Sequence, residues 1–191
     1  MNLLHIDSSI QADGSASRMI SAAAVERLKA AHPDINVTYR DLAAEPLAHI
    51  TLEGLSSAHA QGVLDEFLNA DIVVIGVPMY NFGIPSQLKA WIDHIAIAGK
   101  TFSYGPEGVM GLAGGKRVTV ALSRGGLYGE GSPAASIEHA ETYLKAVLGF
   151  IGLGDAEFIV AEGLALGSEQ REAALAGAFA QLDERLLQPA G

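Results

Sequence analysis

The sequence predicts an α/β fold, a parallel sheet wrapped by helices, from three observations. Asp71-Ile72-Val73-Val74-Ile75-Gly76-Val77 is apolar and β-branched without polar alternation, as a strand buried on both faces requires. Directly after it, Leu88, Trp91, Ile92 and Ile95 recur at i, i+3, i+4 and i+7, one apolar face of a helix. Strand-like and helix-like segments then alternate along the chain, and no repeat or low-complexity linker interrupts them. That alternation is the mark of a parallel sheet with right-handed crossovers.

Taken in order, Leu3-Leu4-His5-Ile6-Asp7 is the first strand. The stretch from Ser8 to Ser17 is small and polar, and Ile20, Ala24 and Leu28 mark the helix face that follows. Residues 35–42 alternate and read as the second strand. Ala43 to Ser57 is a loop of about fifteen residues, long enough to suggest a task in binding or contact. Val63, Leu64, Phe67 and Leu68 give the second helix before the strand at 71–77. Pro85 suits the first turn of the third helix, where its missing N–H costs nothing. Thr101 to Gly115 is glycine-rich and irregular, with Phe102 and Tyr104 inside it. Residues 117–122 form the fourth strand, and Ile137, Ala140, Leu144, Val147 and Leu148 the fourth helix. Residues 157–161 form the fifth strand; Leu175, Ala178, Phe179, Leu182 and Leu186 mark the last helix.

Five strands and five helices in 191 residues make one domain over 1–191. A Rossmann order would want Gly-x-Gly-x-x-Gly after the first strand, and the turn here is serine-rich. The expectation is therefore a flavodoxin-like doubly wound five-stranded parallel sheet, order 2-1-3-4-5, with helices on both faces. Its switch point lies between strands one and three, so the loops after strands one, three and four converge on one crevice. At 49% hydrophobic, the chain can fill a full core. No apolar run is long enough to span a membrane, and Met1 to Asp7 does not resemble an export signal, so a cytoplasmic location is expected. The absence of cysteine excludes disulfides and thiol catalysis, and with them a low-molecular-weight tyrosine phosphatase. A net charge of −10 argues against nucleic-acid binding, which needs a basic surface.

Three loops carry the candidate chemistry. Ser9, Ser15, Ala16 and Ser17 lead into a helix N-terminus, where free N–H groups and the dipole favour an anion. Arg18 stands only at the edge, which suits a single phosphate monoester on neutral donors; ordinary N-capping by Ser15 or Ser17 explains the same pattern. Val77 to Lys89 holds Met79, Tyr80, Asn81 and Phe82 at a strand end, where ligands bind in open α/β sheets; filling core is the alternative for Tyr80 and Phe82. Ser123-Arg124-Gly125-Gly126 has paired glycines that permit close backbone approach to a flat ligand, or simply make a turn. Gly99-Lys100-Thr101 is no P-loop, since His94 stands where the first glycine is required and a helix precedes it. Asn36-Val37-Thr38 is a sequon without an export signal to make it relevant. No histidine spacing suits a metal site. Asp7 is placed for catalysis, though a turn acceptor is the commoner role.

Together, Pro78-Met79-Tyr80-Asn81-Phe82, Gln87-Leu88-Lys89, Thr101-Phe102, Ser123-Arg124-Gly125-Gly126 and Leu148-Gly149-Phe150-Ile151-Gly152 resemble the FMN-dependent NADH azoreductases, also called FMN-dependent NADH:quinone oxidoreductases. The likeness covers nearly the whole chain in order. It implies a flavodoxin-like homodimer with one FMN per subunit and NADH or NADPH as donor. The phosphate-loop residues correspond to Ser9, Ser15, Ala16 and Ser17, and the flavin-contacting segments to residues 79–82 and 123–126. Ala43 to Ser57 and the loop at 105–108 look shorter than is usual, which bears on substrate range.

The same resemblance implies that the flavin does the chemistry and the protein positions it. NADH and then a quinone or azo compound would use one flavin face in turn, a ping-pong scheme. Gly125 and Gly126 N–H groups would face the N1–C2 edge, where negative charge develops. Asn81 has a donor and an acceptor for the N3–C4 edge. Tyr104, Tyr128 and Phe150 are candidate substrate walls, and no protein acid or base is assigned. The rival is a flavodoxin-type electron carrier, which usually flanks its flavin with acidic loops. A regulatory sensor on the same fold has only the fold in its favour.

Overall fold

The structure, a computed structural model, describes residues 1–186. Residues 187–191 of the expected domain, and the side chains of Asp13 and Leu186, lie outside the described residues. The elements are β1 (Asn2–Asp7), α1 (Ala16–Ala31), β2 (Asn36–Asp41), α2 (Ala58–Asn69), β3 (Ile72–Pro78), α3 (Ser86–Ile95), β4 (Phe102–Gly105), β5 (Gly108–Gly111), β6 (Arg117–Ser123), α4 (Ala140–Phe150), β7 (Glu157–Ala161) and α5 (Ser168–Leu186). β1 pairs in parallel with both β2 and β3, β3 with β6, and β6 with β7. The sheet order is β2-β1-β3-β6-β7. Counting the parallel strands alone gives 2-1-3-4-5, with the switch between β1 and β3.

The numbering differs because β4 and β5 form an antiparallel hairpin between the third and fourth parallel strands, where sequence reading expects irregular chain. Each of its strands is four residues long, too short for alternation to register. The hairpin is seated by glycines: a Cβ on Gly111 would stand 2.2 Å from the backbone nitrogen of Gly152. Beside that contact Ala113 N–H donates to the Ile151 carbonyl at 2.9 Å. Pro85 differs in a smaller way. It stands one residue before α3 in extended conformation (ψ 143°), and the helix starts at Ser86.

Alternation along the strands sends side chains to two cores. Leu4, Ile6, Val73, Ile75 and Val77 face α2, α3 and α4, packing on Phe67, Leu88, Trp91 and Leu144. Leu3, Ile72, Val74, Ala121 and Ile159 face α1 and α5, packing on Ile20, Ala24, Leu28 and Leu182. Every residue of β3 is buried, as an unbroken apolar run at the centre of the sheet demands. Trp91 lies wholly inside, edge-on to Phe67 at 5.8 Å between ring centroids. No described helix is long and apolar enough to cross a membrane.

Gly76 is required by its neighbour across the sheet. It stands opposite Asp7, and a Cβ on it would lie 2.2 Å from Asp7 Oδ1 and 3.0 Å from Ser21 Oγ. Overpacking a close-packed site costs about 1–3 kcal/mol. Gly76→Ala should lower unfolding stability by that amount in urea titration; a loss under about 0.5 kcal/mol would mean that Asp7 moves aside freely.

Candidate active site

The β1–α1 loop is drawn tight at the C-terminal edge of the sheet. Ser8 Oγ donates to the Gly76 carbonyl at 2.8 Å, and Ser9 Oγ lies 3.1 Å from the Tyr80 hydroxyl. That hydroxyl also accepts from Ile10 N–H at 3.2 Å. Ser15 caps α1, its Oγ accepting from Arg18 N–H at 3.3 Å, so capping operates here. The same Oγ stands 3.1 Å from Ser17 Oγ. Ser9, Ser15, Ala16 and Ser17 are all buried; Ser15, Ala16 and Ser17 form the first turn of α1, while Ser9 sits just past the end of β1 against Tyr80. A helix start with clustered hydroxyls offers oriented donors to an anion.

Arg18 does not enter this cluster; it braces the loop from behind. Its Nε and Nη2 donate to the Ser9 carbonyl at 3.2 and 2.7 Å. Nη1 and Nη2 form a bidentate pair with Asp41 at 2.8 and 2.7 Å. The hydrogen bond to Asp41 raises the guanidinium pKa despite burial, and the same bond, ahead of the Ala44 and Ala43 N–H groups, holds the Asp41 carboxyl below its usual range. Asp7 accepts from Ser21 Oγ at 2.8 Å and Tyr39 hydroxyl at 3.1 Å, donors from α1 and β2 rather than from a local turn. Burial, then Asp7 and Asp41, push the Tyr39 hydroxyl up to about 12.

The β3–α3 loop begins with Met79 N–H donating to the Ser123 carbonyl at 2.8 Å. Tyr80 and Gly83 exchange two backbone bonds of 2.9 and 3.0 Å around Asn81 (φ 48°) and Phe82 (φ 71°). Two positive φ angles define a type I′ turn. For phenylalanine this conformation costs about 1–3 kcal/mol and persists only where the surroundings enforce it. Here His139 N–H donates to the Phe82 carbonyl at 2.9 Å, and the Phe82 ring meets Tyr128 edge-on at 6.3 Å. Asn81 and Phe82 are held exposed at the rim.

The loop after β6 is bound along one side. Gly163, Leu164 and Ala165 N–H groups donate to the carbonyls of Gly126, Arg124 and Gly125 at 2.9, 3.2 and 2.9 Å. Neither Gly125 nor Gly126 N–H meets a protein acceptor among the described residues. Arg124 lines the cleft, and its guanidinium is taken up by carboxylates. It is buried against Glu141, with Glu138 and Glu162 each at 3.4 Å. Glu138 also accepts from Ala140 and Glu141 N–H, both at 2.8 Å, completing the start of α4. Burial works against its charge, but the Glu141 and Thr142 N–H groups and Arg124 carry its pKa below the ordinary value.

These loops enclose a cleft of about 270 Å³ lined by Ala16, Met79, Tyr80, Ser123, Arg124 and Gly125 among others. Leu164, Ala165 and Arg171 complete it. Sequence reading missed all three, although the position after the fifth strand is a signal for such a loop. Arg171 is tied to the β1–α1 loop through the Gly14 carbonyl at 3.0 Å. The expected substrate walls are not brought together. Tyr128 stays with Phe82, whereas Tyr104 and Phe150 pack on Phe102 at 5.5 and 4.6 Å. Phe150 closes α4, whose eleven residues carry it roughly 15 Å along the axis from the His139–Phe82 contact.

Comparison with known proteins matches residues 1–186 to the family described as flavodoxin-like fold. An FMN-dependent NADH:quinone oxidoreductase of Methylorubrum populi (strain ATCC BAA-705 / NCIMB 13946 / BJ001) is 58% identical, over 94% of this chain and 96% of its own. The chain belongs to the FMN-dependent NADH:quinone oxidoreductases. Among solved structures, an azoreductase from Bacillus anthracis str. Sterne is 30% identical, with a TM-score of 0.88 over 96% of this chain and 97% of the other. An FMN-dependent NADH-azoreductase from Bacillus anthracis str. Ames Ancestor, solved in complex with FMN, is 26% identical; its TM-score is 0.87 over 98% and 100%.

The Arg18–Asp41 pair gives the site a pH signature. Asp41 titrates below its ordinary 3.8 in the folded chain. Its stabilisation is therefore complete above the unfolded value and is lost as pH falls through the folded one. Asp41→Asn should cost more stability at pH 7 than at pH 3, measured by urea unfolding at both. Equal losses at the two pH values would remove the charge of Asp41 as the cause.

Proposed function

We propose that this chain is an FMN-dependent NAD(P)H:quinone oxidoreductase that also reduces aromatic azo compounds to amines. The observation that carries the reading is the cleft itself. The start of α1 stands on one side, with Ala16 on the cleft wall and the hydroxyls of Ser15 and Ser17 buried beside it, and a glycine loop with its carbonyls occupied and its N–H groups available stands on the other. This donor set fits FMN: neutral donors for a phosphate monoester, backbone donors for the flavin edge that gains negative charge. Bound FMN supplies acceptance of a hydride from NADH and its return to a quinone, two such rounds being needed to take an azo bond to two amines.

The chain's own residues bind and orient. Ser9, Ser15, Ser17 and the Ala16 N–H hold the phosphate, with Arg18 fixing the loop behind them. Met79, Tyr80, Asn81 and Phe82 border the ring, and Ser123 to Gly126 supply the backbone donors, Arg124 acting through its main chain. A single domain over 1–191, located in the cytoplasm where NADH is available, completes the reading. The relatives' activity favours the enzyme over an electron carrier, and the cleft rim carries Asn81 where a carrier usually has acidic loops.

The same reading includes a homodimer. Tyr104 is 73% exposed and Met110 60%, and Leu112 and Phe150 are exposed beside them. A twofold partner, the commonest oligomer, would cover this apolar surface and bring the Tyr104–Phe150 cluster to the other subunit's cleft. That supplies the wall which the isolated subunit leaves open and excludes water from the reacting face.

With FMN bound, the protein should oxidise NADH with a quinone acceptor and give parallel double-reciprocal plots at varied acceptor. Intersecting lines would overturn the alternating use of one face, and no NADH oxidation would leave the carrier. By light scattering the protein should weigh twice the 19.9 kDa chain, and Phe150→Ala should raise the acceptor KM while FMN stays bound. A fully active monomer would rule the shared site out.

A further inference from the structure

Glu162 lies just past β7, and the chemistry described so far gives it no role. Its Oε2 accepts from Tyr128 N–H and Gly129 N–H, both at 3.0 Å, and stands 3.4 Å from Arg124 Nη1. One carboxylate thus grips the 124–129 loop at both ends. Between those ends are Gly125 and Gly126, whose peptides no Cβ restrains. Their carbonyls are turned toward residues 163–165 by bonds from Ala165 and Gly163 N–H, and Arg124 N–H donates to the Ala161 carbonyl at 2.8 Å. Downstream of Gly126, Glu162 is the side chain among the described residues that fixes the backbone through Tyr128 and Gly129.

We propose that Glu162 is a positioning residue that sets the aim of the Gly125 and Gly126 N–H groups, and through them the two-electron midpoint potential of bound FMN. The inference rests on the FMN reading above. Donors held at the place where charge develops favour the charged form, and a donor free to swing loses that preference to reorganisation. The carboxylate's own negative charge acts in the opposite sense, since it disfavours added negative charge nearby. Position and charge therefore predict shifts of opposite sign, and the two can be separated.

The test measures the midpoint potential of FMN and the dissociation constant of oxidised FMN in the wild-type protein, Glu162→Ala and Glu162→Gln. Glutamine keeps an oxygen that accepts from Tyr128 and Gly129 N–H but carries no charge. Glu162→Ala should lower the preference for reduced over oxidised FMN about tenfold, near 30 mV for a two-electron couple, and Glu162→Gln should recover most of it. An unchanged potential in Glu162→Ala overturns the proposal. So does an upward shift shared by both variants, which would mark charge as the cause. If Glu162→Ala does not fold, Glu162→Asp, with its carboxylate withdrawn by one methylene, must shift the potential downward, and an unmoved value overturns the proposal equally. Failure of the wild-type protein to bind FMN would overturn the functional reading beneath it; binding with an unmoved potential overturns only the role of Glu162.

Discussion

A buried carboxylate organises the C-terminal edge of this sheet. Asp7 is almost wholly removed from solvent, where an unpaired charge would be prohibitively costly. Its environment is therefore assembled from several elements: Ser21 from α1, Tyr39 from β2, His5 from its own strand, and Arg18 at 3.8 Å. β3 contributes by omission, since Gly76 leaves the space that the carboxylate fills. The start of α1 is located by these contacts, and with it the turn that carries Ser15, Ala16 and Ser17. The anion-binding end of the cleft inherits its geometry from a charge that does not face the cleft.

The other loops are fixed by comparable means. Phe82 is held in a left-handed conformation by a bond from His139, so the start of α4 and the β3–α3 turn cannot move independently. Arg124, surrounded by Glu138, Glu141 and Glu162, joins the β6 loop to α4 and to the end of β7. The cleft is thus bordered by strand ends whose charged side chains, Arg18 and Arg124, are engaged in supporting pairs, while the Gly125 and Gly126 N–H groups remain without a protein acceptor among the described residues. Such a division suits a site whose chemistry belongs to a cofactor.

Much of this was legible in the sequence because it is local. An apolar run such as 72–77, a 3.6-residue period such as Leu88 to Ile95, and serines before a helix depend on neighbours a few residues apart. What could not be read depends on distance. The partners of Arg124 lie as far as 38 residues away, and Arg171 meets Gly14 across 157, so nothing near either residue reveals where its guanidinium points. The β4–β5 hairpin escaped for another reason: it is brief, interrupted by Gly105, Gly108 and Gly111, and mostly exposed, leaving no periodic burial to detect. Tyr104, Tyr128 and Phe150 stand as candidate substrate walls in the sequence, yet the length of α4 separates them within one subunit.

The hairpin's attachment has an evolutionary consequence. Its base is a backbone-to-backbone seat, Gly111 on Gly152, with no room for a side chain on Gly111. Its tip, Gly105 to Gly108, is exposed and supports nothing else. A lineage can lengthen, shorten or recolour that tip while the seat keeps the hairpin docked and the distant cleft undisturbed. Substitutions and insertions at the tip are thus expected to spare the fold, whereas a single methyl group at the seat would pry the whole hairpin off the turn that follows α4.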